Sequence, residues 1–118
     1  MWDIDYFDCL TAKDDAVTAS NDAYAKYSRE TLHNGEGDAY RHCLWNAVMT
    51  IHIGSDQTKI VADNHEELGE QNDRERMMNL RNNAIGRAIG RYVGRNNEEK
   101  AKALCRQFVI EKKLVLKP

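Results

Sequence analysis

The stretch Asp38-Ala39-Tyr40-Arg41-His42-Cys43-Leu44-Trp45-Asn46-Ala47-Val48-Met49-Thr50-Ile51-His52-Ile53, closed by Gly54-Ser55, decides the fold class. At 100° per residue, Tyr40, Leu44, Ala47, Val48 and Ile51 gather on one side as a core stripe. The other side carries Asp38, His42, Trp45 and Met49, so a carboxylate and an imidazole sit one turn apart beside large apolar groups. A helix with apolar residues on both sides belongs at the centre of a bundle.

Before this helix, Thr31-Leu32-His33-Asn34-Gly35-Glu36-Gly37 supplies turn residues. Further upstream, Asp14-Asp15 read as an N-cap for a helix from Ala16 to about Tyr27. After it, the pattern predicts a helix over Gln57–Leu68 stopped by Gly69, and another over Arg74–Val93 stopped by Gly94. Asn96 followed by Glu99 resembles a capping box opening a last helix to about Val109. Leu114-Val115-Leu116 suits a short strand or an extended arm. Pro118 is the single proline, so nothing breaks helices internally. The expectation is an all-α chain, a single compact bundle of about five helices occupying residues 1–118 as one domain.

Composition narrows function. Lys and Arg total 17 against 19 Asp and Glu, a net charge of −2, so the sequence-independent attraction for phosphate backbones is weak and nucleic acid is the second choice of partner. Cys9, Cys43 and Cys105 form no C-x-x-C pair, which argues against a thiolate zinc site or a disulfide framework and leaves their redox state open. Met1-Trp2-Asp3-Ile4-Asp5 has neither a basic start nor an apolar run, and no segment is long and apolar enough for a transmembrane span. Export would use a machine that reads no cleaved signal peptide, or a larger parent chain.

Three roles are open to Asp38 and His42: helix cap with core histidine, metal ligands, or a general base oriented by a carboxylate. On the next helix Val61, His65 and Leu68 share the apolar side, with Glu66 on its flank and Asp63 pointing away into a solvated charged face. On the fourth helix Met77, Ala84, Ile85, Ala88, Ile89 and Tyr92 read as the core side, with Asn79, Asn83, Gly86 and Gly90 opposite. The two interior glycines cost about 1 kcal/mol each relative to alanine, which implies a close backbone approach. Arg87, Arg91 and Arg95 follow the glycines, and Arg87 is the candidate to clamp an anion in the cleft.

The block His33-Asn34-Gly35-Glu36-Gly37-Asp38-Ala39-Tyr40-Arg41-His42-Cys43-Leu44-Trp45, with His65-Glu66 and Asn82-Asn83-Ala84-Ile85-Gly86-Arg87, resembles a signature of bacterial domains that form the C-terminal toxin ends of polymorphic or Rhs-type secreted effectors. Asn79 stands where such domains often carry Asp. The resemblance implies an exported antibacterial toxin delivered into target bacteria as part of a larger effector, with a cognate immunity protein as partner. It joins Asp38, His42, Glu66 and Asn83 into one constellation.

The leading expectation is therefore a hydrolase of an anionic phosphoester in the bacterial envelope, such as a phospholipid or lipid-linked wall precursor. Asp38, His42, His65 and Glu66 are the candidate catalytic residues and also the candidate ligands of a divalent metal ion, and Arg41, Trp45, Asn83 and Arg87 are the candidate substrate contacts. A metal-dependent nuclease toxin and a non-catalytic helical binding or immunity-type module are the alternatives.

Overall fold

In the computed structural model, which describes residues 6–69 and 71–116, the central stretch forms α2 (Glu36–Ile53), and the other elements are arranged around it. These are α1 (Tyr6–Lys26), a single 3-10 turn (Arg29–Thr31), α3 (Ser55–Leu68), α4 (Asp73–Val93) and α5 (Glu98–Ile110). The five helices make an all-α bundle with no strand among the described residues. The reading of Met1–Asp5 lies outside them.

α2 packs against α1, α3, α4 and α5, which is why it is apolar on both sides. Tyr40, Leu44, Val48 and Met49 are all buried, and so are Asp38, His42 and Asn46. The largest of these contacts is with α4. It depends on the two glycines: a Cβ at Gly86 would fall against the carbonyl oxygen of Cys43, and one at Gly90 would lie 2.6 Å from that of Ala47. The close approach expected from the glycines is thus an α2–α4 contact.

That contact reverses the expected phase of α4. Asn79, Asn82, Asn83, Gly86 and Gly90 form the buried side together with Met78, Ile89 and Val93. Met77 and Tyr92, expected in the core, are 66% and 75% exposed, and Ala84 and Ala88 are exposed as well. Close backbone packing needs small residues, and the asparagines can be buried because their amides are hydrogen-bonded.

Helix boundaries differ from expectation in two places. Asp14-Asp15 cap nothing, because α1 starts at Tyr6 and Asp15 is a buried mid-helix residue whose carboxylate meets His52 Nδ1 at 2.8 Å. Asn96-Glu99 is not a capping box either. Asn96 takes a positive φ of 62°, Asn97 is the cap residue, and Glu99 pairs instead with Lys102. The capping box of this chain is Asn72 with Glu75, at the start of α4.

Cys43 and Cys105, both fully buried, form a disulfide between α2 and α5, a pairing that the spacing of the cysteines did not indicate and that answers for these two the redox state left open by the sequence. Spacing alone could not reveal it, because the two cysteines are 62 residues apart and are brought together only by the packing of α5 on α2. The tail Leu114–Leu116 is an extended arm rather than a strand. Asn82 holds it, donating to the Val115 carbonyl and accepting from the Val115 N–H at 2.8 Å each.

Candidate functional site

At the start of α2 the carboxylate of Asp38 reaches back to the turn, where it accepts from the backbone N–H of Asn34 at 2.9 Å. It also accepts from Arg41 at 2.6 Å and lies 3.2 Å from His42 Nδ1. The same ring nitrogen is 2.9 Å from the Asp38 carbonyl, the usual reach of a side chain one helical turn on. His42 Nε2 faces Glu66 Oε2 at 3.5 Å. One imidazole therefore bridges two carboxylates, with all three side chains at most 4% exposed.

Glu66 reaches this position because Thr58, Ala62 and Glu66, at i, i+4 and i+8, form the buried side of α3. Of the expected core side, Val61 packs half-buried against the core and lines a pocket together with His65 and Leu68, of which Leu68 is 75% exposed. An amide cage surrounds the Glu66 carboxylate. Gln71 donates to Oε1 at 2.7 Å, Asn79 to Oε1 at 3.2 Å, and Asn83 to Oε2 at 3.2 Å. Asn46 on α2 in turn donates to Asn83 Oδ1 at 2.9 Å.

These contacts set the charges. Burial alone would favour a neutral imidazole, but the hydrogen bonds and charges of Asp38 and Glu66 outweigh it and hold His42 up at about 9. For Glu66 burial is likewise outweighed, by His42, Gln71 and Asn83, which hold it down to about 2. Asp38 also lies well below the carboxylate range, against the effect of burial, through His42, Asn34 and Arg41. At neutral pH the cluster is an imidazolium between two carboxylates. His65 shifts the other way: desolvation lowers its pKa, opposed by Glu66 and assisted by the positive charges of His42 and Arg41. It is the neutral imidazole of the site.

Two adjoining cavities meet at these residues. A polar cleft of about 100 Å³ is lined by Asp38, Glu66, Gln71, Asn79 and their neighbours. A pocket of about 390 Å³ is lined by Ala12, Ala16, Trp45, Val61 and Leu68. Arg41, His42, His65 and Gly69 border both. The Trp45 ring stands edge-on to His65 with centroids 5.2 Å apart, and its N–H donates to the Ala12 carbonyl at 3.0 Å.

Most of the expected site residues come together here. Asp38, His42, Glu66, Asn83 and Arg41 meet, His65 borders both cleft and pocket, and Trp45 lines the pocket beside it. Arg87 does not join them. It lies in another cavity between α3 and α4 with Lys59, Asp63 and Arg76, on the far side of Glu66, which borders both this cavity and the cleft, because the cleft side of α4 is occupied by its asparagines. Asp63 is held by Lys59 and stays out of the site, as its phase indicated. Sequence reasoning missed Gln71, Asn34 and Asn46; of these only Asn46, on the same helix as His42, carried a positional signal.

Asp38, His42, His65 and Glu66 also had to be tested as metal ligands. Among the described residues no group of three or more His, Cys, Asp or Glu is arranged to hold a metal ion. The Glu66 oxygens meet amide N–H donors, whose positive ends oppose a cation, and both His42 nitrogens are directed at carboxylates or a carbonyl. As arranged here, Asp38, His42 and Glu66 direct their donor atoms at one another and at amide or guanidinium N–H groups.

Fold and site together place the chain among all-α domains that bury an ionised imidazole–carboxylate cluster at the floor of an open cleft. The chain belongs to the family described as Domain of unknown function (DUF6973), which it matches over residues 3–113. No solved structure matches it.

Proposed function

We propose that this domain is an exported antibacterial toxin that hydrolyses an anionic phosphoester of the bacterial envelope, such as a phospholipid or lipid-linked wall precursor. One observation carries the hydrolytic part of the reading: a neutral imidazole, His65, borders the same cleft as Arg41 and His42, which are paired there with the carboxylates of Asp38 and Glu66. In the proposed step His65 accepts a proton from water as the water oxygen attacks phosphorus. The bond to the leaving oxygen breaks, and that oxygen takes up a proton from solvent. Arg41 faces the negative charge that develops, and the buried His42 imidazolium offsets the charge of the Asp38 and Glu66 carboxylates beneath it. Asp38, Glu66 and Asn83 are positioning residues that hold the imidazolium in place.

Among the described residues no helix is long and apolar enough to cross a membrane; in this reading the envelope substrate meets the chain at the cleft and its pocket. A cognate immunity protein would protect the producing cell.

The test is incubation of the purified chain with vesicles of bacterial phospholipid, with product release followed by mass spectrometry. Release is expected to fall by on the order of a hundredfold in His65→Ala, to depend on a group titrating below 6.5 on the acid side, and to survive chelation. Loss of activity on chelation would overturn the metal-free step. No release from vesicles, with loss of cellular DNA on cytoplasmic expression, would replace this reading with the nuclease.

A further inference from the structure

The larger pocket has a chemistry that the hydrolytic step does not use. It lies between α1, α2 and α3, and its walls are the small residues Ala12 and Ala16, the indole of Trp45, Val61 and Leu68. Its volume of about 390 Å³ falls within the range of ligand sites, which run from about 300 to 1,000 Å³. A methylene group is close in size to a water molecule, whose share of the liquid is roughly 30 Å³, so about a dozen methylenes would fill it.

The pocket meets the polar cleft through Arg41, His42, His65 and Gly69. Its apolar wall reaches solvent on Leu68, 75% exposed. Lys13, exposed and on the same wall, adds a cation beside the apolar surface. An apolar slot with an aromatic wall and cations along it matches an amphiphile carrying negative charge next to a hydrocarbon chain.

We infer that this pocket holds a single hydrocarbon chain of an amphiphile and places its anionic head at Arg41 and His65. The inference rests on the proposed hydrolysis of an envelope phosphoester and narrows its substrate to a lipid gripped by one chain. Specificity would then depend on chain length as well as on the head group.

Calorimetric titration of the full chain with alkyl phosphates from butyl to decyl, below their micelle concentrations and with inorganic phosphate as the headgroup control, tests this. Affinity is expected to rise about fourfold per added methylene, the equilibrium equivalent of burying one CH₂. The Trp45 indole N–H resonance should shift with decyl phosphate and not with inorganic phosphate. Ala16→Trp and, independently, Val61→Trp, each checked for helical content, should flatten the series.

An affinity independent of chain length overturns the inference, as does an unmoved Trp45 resonance or a series that a folded pocket-filling variant leaves intact. Release from vesicles that persists without any chain-length dependence would discard the pocket assignment and keep the hydrolase. A steep series with no release would do the reverse.

Discussion

α2 carries two histidines, each bridging two carboxylates. Near its start His42 lies between Asp38 and Glu66, and at its end His52 lies between Asp15, at 2.8 Å, and Glu98, at 3.0 Å. Residue types and distances are similar, but His42 is 4% exposed and His52 36%. Around Glu66 three amides donate to the carboxylate, whereas Glu98 is 37% exposed and its surroundings are screened by water. An imidazole between carboxylates is therefore not in itself a site. Both clusters border a cavity, so the difference between them lies in burial, which makes the charge state of His42 durable.

The strongest way to break this comparison is to delete both rings. His42→Ala removes the cation between two buried carboxylates, leaving Asp38 with Arg41 and Glu66 with amide donors alone, and breaking such a buried pair costs about 3–5 kcal/mol. His52→Ala leaves only Asp15 buried, and that carboxyl already has a raised pKa through burial, so it can take up a proton. Its cost is expected at about 1–2 kcal/mol. Urea denaturation measures both, and equal losses would mean that exposure does not separate the two clusters.

Changing pH sharpens the same contrast. The pKa of His42 is raised, so its contribution to stability is complete below the unfolded value of 6.5 and is lost as pH rises through about 9. Those of Asp38 and Glu66 are lowered, so their contribution is present above the unfolded values of 3.8 and 4.5 and is lost on acidification, for Glu66 through about 2. This cluster gives most stability between about pH 4.5 and 6.5, the interval between those unfolded values. At the other end of α2 the raised pKa of His52 has the same sign as that of His42, and the raised pKa of Asp15 acts in the same direction, since Asp15 too loses stability as pH rises past 3.8, where Asp38 and Glu66 gain it. Titration by NMR should show His42 changing charge near 9 and His65 below 6.5. A His42 that titrates at its ordinary value would break the ion cluster as described.

The amphipathic logic of the sequence reached α2 correctly because apolar residues on both of its sides identify a central helix whatever surrounds it. It misjudged α3 and α4 for one shared reason. Val61, Leu68, Met77 and Tyr92 are apolar and were placed inward, yet two small-residue sides, Thr58-Ala62 and Gly86-Gly90, make the close helix contacts. Hydropathy counts Asn79, Asn82, Asn83 and Glu66 as surface residues, because the hydrogen bonds that permit their burial come from distant segments. Arg87 was assigned to the cleft on that inverted phase. The Asp38–His42 half of the site, local to one helix, was legible, while the Glu66 half required the tertiary contact between α3 and α4.

The smallest effect separates the clusters most cleanly, because it changes charge with little change in shape. Glu98→Gln keeps an acceptor oxygen near His52 Nε2 and removes one exposed charge, and exposed ion pairs contribute about 0–1 kcal/mol. The expected change in stability is within about 0.5 kcal/mol, with the His52 pKa falling toward its ordinary value because Glu98 is the lesser of its two carboxylate partners after Asp15. The matched Glu66→Gln substitution also keeps the shape, but it removes a charge that His42 meets in the interior, and it turns an amide toward the donors of Gln71, Asn79 and Asn83. Its cost should exceed that of Glu98→Gln by about 2 kcal/mol or more, since hydrogen bonds to charged groups contribute about 1.5–3 kcal/mol. The His42 resonance should then titrate well below 9. Were the two glutamine variants equally stable, with His42 still charged near pH 9, Asp38 alone would hold the imidazolium, and the amide cage around Glu66 would be a packing device between α3 and α4.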